Sequence, residues 1–222
     1  MIQAVVFDLF ETLVTESTAV VQRASALAAR LGVSPEAYRR HWRSLRPNVV
    51  LGRCSFRDAL FQIAAQLGTT PADSLLEQLS SERASEKAVV LRTIEPDVRR
   101  MLAVLREKRL RLGLITNCFR EDVASWDRSP LRPLFDVTVF SCAVSLAKPD
   151  PKVYLLACRE LGVSPSHTLY VGDGADDELA GARTAGLSAH RALWFLSRWP
   201  QFRLAPDAAG LWHITDVLDV AA

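Results

Sequence analysis

Chemically capable residues stand just past several short apolar runs of this chain. Asp8 follows the run 2–7, Thr116-Asn117 closes the run 111–116, and Asp173 comes two residues after the run 168–171. Lys148 sits in Ala147-Lys148-Pro149-Asp150, between an expected strand and an expected helix. In open α/β sheets the ligand site lies beyond the carboxyl ends of the strands, so residues at these positions are brought to one edge. Together they supply a carboxylate, a hydroxyl, an ammonium and a second acidic cluster. Nucleophilic, acid–base and metal-bound chemistry are assembled from such groups.

The elements that must position them are legible in the hydrophobic pattern. The run 2–7 is short and β-branched and reads as a buried strand. Further strands are expected at 111–116, 135–140 and 168–171. Helices are expected at 97–108, 150–161 and 176–185, the last closing at Gly186. This alternation predicts a parallel sheet covered by helices on both faces. Between the first strand and residue 90 the period is helical throughout. One helix is expected at 17–30 and a second starts at Ser34-Pro35-Glu36. A third covers 55–67 and stops at Gly68, and a fourth opens at Thr70-Pro71 and runs towards Lys87. The fold class expected is α/β: a doubly wound parallel sheet formed by 1–14 and 91–222, interrupted by a four-helix insertion at 15–90.

Composition narrows the alternatives. A chain of 222 residues suits one α/β core with a sizeable insertion. Its 27 basic and 25 acidic residues give +2, so no broad cationic face and no nucleic-acid partner are expected. There is no run of about 18 apolar residues to span a membrane, and the N-terminal residues read as a strand rather than a signal peptide. Cys54, Cys118, Cys142 and Cys158 lack any C-x-x-C spacing and read as reduced, buried thiols of a cytoplasmic protein. His41, His167, His190 and His213 are dispersed, which argues against zinc.

Four motifs in order resemble those of the haloacid dehalogenase superfamily, in the branch whose helical cap follows the first strand. They are Phe7-Asp8-Leu9-Phe10-Glu11-Thr12-Leu13, Leu114-Ile115-Thr116-Asn117, Lys148-Pro149-Asp150, and Val171-Gly172-Asp173-Gly174-Ala175-Asp176-Asp177-Glu178. The resemblance covers residues 2 to about 190. It implies that Asp8 is the nucleophile, forming an aspartyl intermediate that water hydrolyses. It implies Mg²⁺ held by Asp8, the Phe10 carbonyl, Asp173 and Asp177, with Glu178 an open alternative to Asp177. Lys148 would neutralise Asp8 and the transferring group, while Thr116, Asn117 and nearby backbone N–H groups hold the phosphoryl oxygens. The implied substrate is a small phosphorylated metabolite, handled by a monomer or homodimer.

Two departures stand out. Phosphatases of this family carry a second aspartate two residues after the nucleophile as general acid and base, and here that position is Phe10. An aromatic there is similar to the haloacid dehalogenases themselves, whose halide leaves without a proton. Those enzymes, however, need no metal and lack the Gly172-Asp173 pair. The acidic cluster would repel a carboxylate substrate without a cation, so charge favours hydrolysis of a phosphate ester or acyl phosphate over a metal-free C–X hydrolase. A phosphate-binding module without turnover is a further alternative. Glu11 stands where the family usually has glycine, and the sequence offers no reason for it.

Other residues read more plainly. Asp176 reads as a charge starting a helix. Arg43, Arg46 and Arg53 read as a solvated face of the cap or as holders of a substrate anion. The aromatic segment 194–200 reads as a dimer contact or a cover for the sheet edge.

Overall fold

The computed structural model describes residues 1–16, 23–199 and 209–222. Strand β1 (Ala4–Phe7) is buried along its whole length and lies in the middle of a five-stranded sheet. Its neighbours are β2 (Arg111–Thr116) and β4 (Thr168–Gly172); β3 (Val137–Phe140) flanks β2 and β5 (Ser188–Arg191) flanks β4. All pairings are parallel, in the order β3-β2-β1-β4-β5. The order reverses between β1 and β4, and a crevice opens at such a switch point. Asp8 and Asp173 lie just past those two strands. β5 has no counterpart among the strands expected from sequence, because Ser188-Ala189-His190-Arg191 lacks an apolar run. It occupies an edge, where one side needs no partner strand.

Among the described residues four helices follow the first strand before the chain returns to the sheet: α1 (Ala24–Arg30), α2 (Pro35–Val50), α3 (Phe56–Gln66) and α4 (Asp73–Arg92). The part of the expected first helix at 17–22 falls outside the described residues. Ser34 and Ser55 cap α2 and α3 by accepting from Ala37 N–H and Asp58 N–H, at 3.1 and 3.0 Å. These helices share an apolar cluster that includes Tyr38, Phe56, Leu60, Ile63, Leu76 and Leu79. α4 continues to Arg92 rather than stopping near Lys87. Its last turn carries Val90 and Leu91, which bury into the cluster under the sheet instead. The same helix thus contributes to both cores.

The rest of the chain supplies α5 (Pro96–Glu107), α6 (Arg120–Val123), α7 (Ser141–Val144), α8 (Pro151–Leu161), α9 (Glu178–Thr184) and α10 (Val217–Val220). One face of the sheet packs with α5 and the C-terminal residues around Phe7, Leu102, Leu105 and Leu114. The other packs with α8 and α9 around Val6, Ile115, Tyr154 and Tyr170. This is the doubly wound α/β arrangement expected from the alternating pattern. No helix among the described residues is long and apolar enough to cross a membrane.

Candidate active site

Asp8 leaves β1 at a tight double turn. Leu13 N–H and Val14 N–H both reach back to the Leu9 carbonyl, and Glu11 sits at φ 59. That left-handed conformation is why glycine suits the position. In this chain the strain is held by the Glu11 carboxylate, which accepts from Thr15 Oγ1 (2.8 Å), Glu16 N–H (2.8 Å) and Trp199 Nε1 (2.7 Å). Glu11 is therefore a tie between the β1 exit and the aromatic segment. Trp194 adds a second tie, donating from Nε1 to the Thr12 carbonyl at 3.0 Å. The described residues of that segment pin the β1 exit; Pro200 lies outside them.

Lys148 is brought in by the start of α8. Asp150 caps that helix by accepting from Lys152 N–H at 2.9 Å, with Pro151 in the first helical position. Asn117 buckles the loop from the other side. Its Oδ1 accepts from Lys148 N–H (2.8 Å), and its Nδ2 donates to the Lys148 carbonyl (2.9 Å) and to Asp176 Oδ2 (3.0 Å). Its side chain is thus committed to shaping the loop. Thr116, at the end of β2, is buried and lines the cavity beside Asp8.

The ammonium of Lys148 lies between two carboxylates, 2.5 Å from Asp8 Oδ1 and 2.5 Å from Glu178 Oε2. Glu178 is held by Tyr170 OH at 2.6 Å and by Gly174 N–H at 2.8 Å. Gly172 is required for this close approach, since a Cβ there would collide with the Glu178 carboxylate. The sequence left Asp177 and Glu178 as alternatives, with Asp177 assigned to the metal set. The structure places Glu178 in the cluster and leaves Asp177 exposed. Asp176 and Asp177 both adopt left-handed φ values, 52 and 54, and the chain re-enters a right-handed helix only at Glu178. This turn carries Asp177 outward and Glu178 inward. Asp176 is also not a simple helix-starting charge: both its oxygens accept from Arg46 of α2, at 3.3 and 3.1 Å.

Oxygens of Asp8, Asp173 and Glu178 lie within 4.8 Å of one another. Burial pushes the Asp8 carboxyl up to about 8; Glu178 and Asp173 add to this, and Lys148 offsets only part of it. Burial and the Glu178 charge push Asp173 up to about 6. Glu178 is held below its ordinary value, because Lys148, Tyr170 and Gly174 outweigh its burial. Burial disfavours the Lys148 ammonium, but Asp8 and Glu178 outweigh it and raise its pKa. One ammonium, in contact with two of the three carboxylates, thus serves the cluster, and the site is short of positive charge. An all-oxygen donor set with excess negative charge fits a hard divalent cation such as Mg²⁺. Asp8 pairs with Lys148 through Oδ1 and accepts from Thr12 at 3.3 Å through Oδ2, whereas both oxygens of Glu178 are taken by Lys148, Tyr170 and Gly174, so Asp8 and Asp173 are the carboxylates with capacity for it.

Phe10 turns its ring under Lys87 Nζ, 4.1 Å from the ring centroid, and Lys87 also pairs with Glu16. This arrangement offers no proton donor at position 10. A cavity of about 160 Å³ opens over the site, lined by Asp8, Phe10, Thr116, Lys148, Asp173 and Arg46 among others. A cavity of about 270 Å³ adjoins it along α2, with Pro47, Val50 and Leu51 as its apolar wall. Sequence reasoning did not single out Tyr170 and Tyr154. Tyr154 OH donates to the Glu178 carbonyl at 2.7 Å, and Tyr170 OH to its carboxylate. Both sit in apolar runs that carry no chemical signal.

Comparisons with known proteins agree with this geometry. Residues 2–186 match the model of the haloacid dehalogenase-like hydrolases. The chain is 29% identical to a glyceraldehyde 3-phosphate phosphatase of Methanopyrus kandleri, covering 84% of this chain and 82% of that protein. It is 29% identical to an N-acetylmuramic acid 6-phosphate phosphatase of Pseudomonas aeruginosa, over 83% and 79%. Among solved structures, a 2-haloacid dehalogenase from Pseudomonas syringae pv. Tomato aligns with a TM-score of 0.68 at 27% identity, covering 99% of this chain and 98% of that one. With four motifs converging on one crevice and the family model spanning most of its length, the chain belongs to the haloacid dehalogenase-like hydrolases.

Proposed function

We propose that the protein hydrolyses a small phosphorylated metabolite through covalent attack by Asp8. The observation that carries this is the cluster of three carboxylates, two of which share one buried ammonium. Such a site needs a cation before it can accept a dianion. A bound Mg²⁺, held by Asp8, Asp173 and the Phe10 carbonyl, would supply the charge that Asp8 and a phosphoryl group both require. Asp8 Oδ attacks phosphorus and the P–O bond to the leaving group breaks, releasing it as an alkoxide, phenolate or carboxylate; water then cleaves the aspartyl phosphate to phosphate and restores Asp8. Lys148 keeps Asp8 oriented and neutralises developing charge. Thr116 and the adjacent backbone line the place for phosphoryl oxygens. The two phosphatase relatives support a phosphorylated substrate, and residues 15–90 serve as the cap that covers it.

Phe10 favours a second reading. With no acid at that position, a leaving group that departs unprotonated is preferred, and a 2-haloacid dehalogenase is among the similar structures. The charge shortage argues against that metal-free route.

The test is a Mg²⁺-supplemented screen of sugar, acyl and aryl phosphates beside 2-haloacids, run with EDTA and with Asp8→Asn. Phosphate release abolished by EDTA, and falling at least about a thousandfold in Asp8→Asn, is the expected result. Halide release that survives EDTA overturns the reading.

A further inference from the structure

Cys118 and Cys142 follow adjacent strands, β2 and β3, and their Sγ atoms lie 3.8 Å apart in a buried thiol–thiol contact. The hydrolytic chemistry uses neither. Cys118 is fully buried, and its N–H donates to Ser141 Oγ at 3.0 Å. Cys142 lines a separate cavity of about 400 Å³ together with Arg120, Val123, Phe140 and Ala143. Cys54 and Cys158 make no thiol–thiol contact in the structure. We propose that Cys118 and Cys142 are a redox-responsive pair that closes to a disulfide under a hydroperoxide oxidant and thereby loosens the hold of Asn117 on the Lys148 loop.

The order of events follows from access. Small oxidants meet Cys142 first, through its cavity. The thiol–thiol contact pulls the Cys142 thiol below its ordinary value despite burial, and the same contact, with burial, holds Cys118 well above. Cys142 gives up its proton and its sulfur attacks an oxygen of hydrogen peroxide; the O–O bond breaks, giving a sulfenic acid and a hydroxide that takes that proton to become one water. Cys118 sulfur then attacks that sulfur. The S–S bond forms, the S–O bond breaks, and the Cys118 proton leaves with the hydroxide as a second water. Two thiols are oxidised and one peroxide is reduced. A disulfide requires about 2.05 Å between sulfurs, against 3.8 Å here, so the sulfurs must approach by roughly 1.8 Å, shared between side-chain rotation and loop movement. Asn117 is bonded directly to Cys118, and its side chain spans the N–H and carbonyl of Lys148. The backbone share of that approach pulls on the buckle, which is the loosening proposed.

The experiment treats the reduced full chain with hydrogen peroxide and maps cross-links in non-reducing peptide digests. Amide hydrogen exchange is followed in parallel. A single thiol-reversible link between residues 118 and 142 is expected, with exchange of the peptide containing Lys148 accelerated severalfold. Neither change should occur in Cys142→Ala. No link, pairing through Cys54 or Cys158, or unchanged exchange at Lys148 overturns the proposal. Should Cys142→Ala fail to fold, the wild-type map and exchange rates still decide it. None of these readouts depends on hydrolytic activity.

Discussion

The core side of the crevice and the helical side carry their charges under different conditions. Around Asp8 the charged groups are buried. Lys148 contacts two carboxylates and the Tyr170 hydroxyl, and Glu178 is bonded through both oxygens. On the helical side, Arg46 reaches across to Asp176 by a pair whose side chains remain 42% and 33% exposed. A buried charge cannot change partners without a large penalty, whereas a solvated arginine exchanges one anion for another at little cost. The core side therefore suits a fixed reaction, and the helical side suits selection among anionic ligands. Apolar contact and a buried ion pair, Arg83 of α4 with Asp122 of α6 at 2.7 Å, also join them. Phe119, from the loop after β2, stacks on Phe56 of α3 with centroids 6.0 Å apart and lies under the Arg83 guanidinium.

Breaking the core side should have the largest effect. Lys148→Met leaves Asp8 and Glu178 buried without their cation, and a loss of about 3–5 kcal/mol is expected from denaturant titration. Turnover should fall by roughly 10²–10³-fold in the same variant. Next is the proton that position 10 cannot give. Phe10→Asp should raise kcat on alkyl phosphates by about 10–100-fold relative to aryl phosphates, read from the ratio of the two rates. An unchanged ratio would mean that the missing acid does not limit the reaction.

The helical side should respond more mildly. Arg46→Ala should raise KM about tenfold with little change in kcat, and cost no more than about 1 kcal/mol of stability, because the pair is solvated. A collapse of kcat instead would place Arg46 with the fixed chemistry and erase the contrast.

The smallest effect concerns Asp136, far from both sides. Its burial works against ionisation, but Leu112 N–H and Arg106 outweigh it and hold the carboxyl below the ordinary 3.8. A depressed pKa stabilises the fold above the unfolded value, and that stabilisation disappears as pH falls through the folded value. Asp136→Asn should therefore shift the urea midpoint at neutral pH, and the gap to wild type should close once pH drops below 3.8.

Much of this arrangement was legible locally. An apolar run ending in a polar residue marks the carboxyl end of a strand wherever it occurs, so Asp8, Thr116 and Asp173 could be placed without coordinates. Ser34-Pro35 and Ser55 announce their helices because capping is a contact between near neighbours. β5 was missed because an edge strand needs little apolar content. The end of α4 was set short because Val90 and Leu91 are buried by a different core from the one that explains the rest of the helix.

What the sequence alone determined is the set of chemical groups and the strand ends that carry them. Tertiary structure decided which acid faces Lys148, what Glu11 holds, and where Arg46 and Cys142 find their partners. The reason is physical. Glu178 and Asp177 differ by one residue, and two left-handed dihedrals before α9 determine which of them turns inward. Glu11 and Trp199 are 188 residues apart, and Arg46 and Asp176 are 130 apart. No local period reports such contacts; they exist only once the sheet has brought distant loops to one edge.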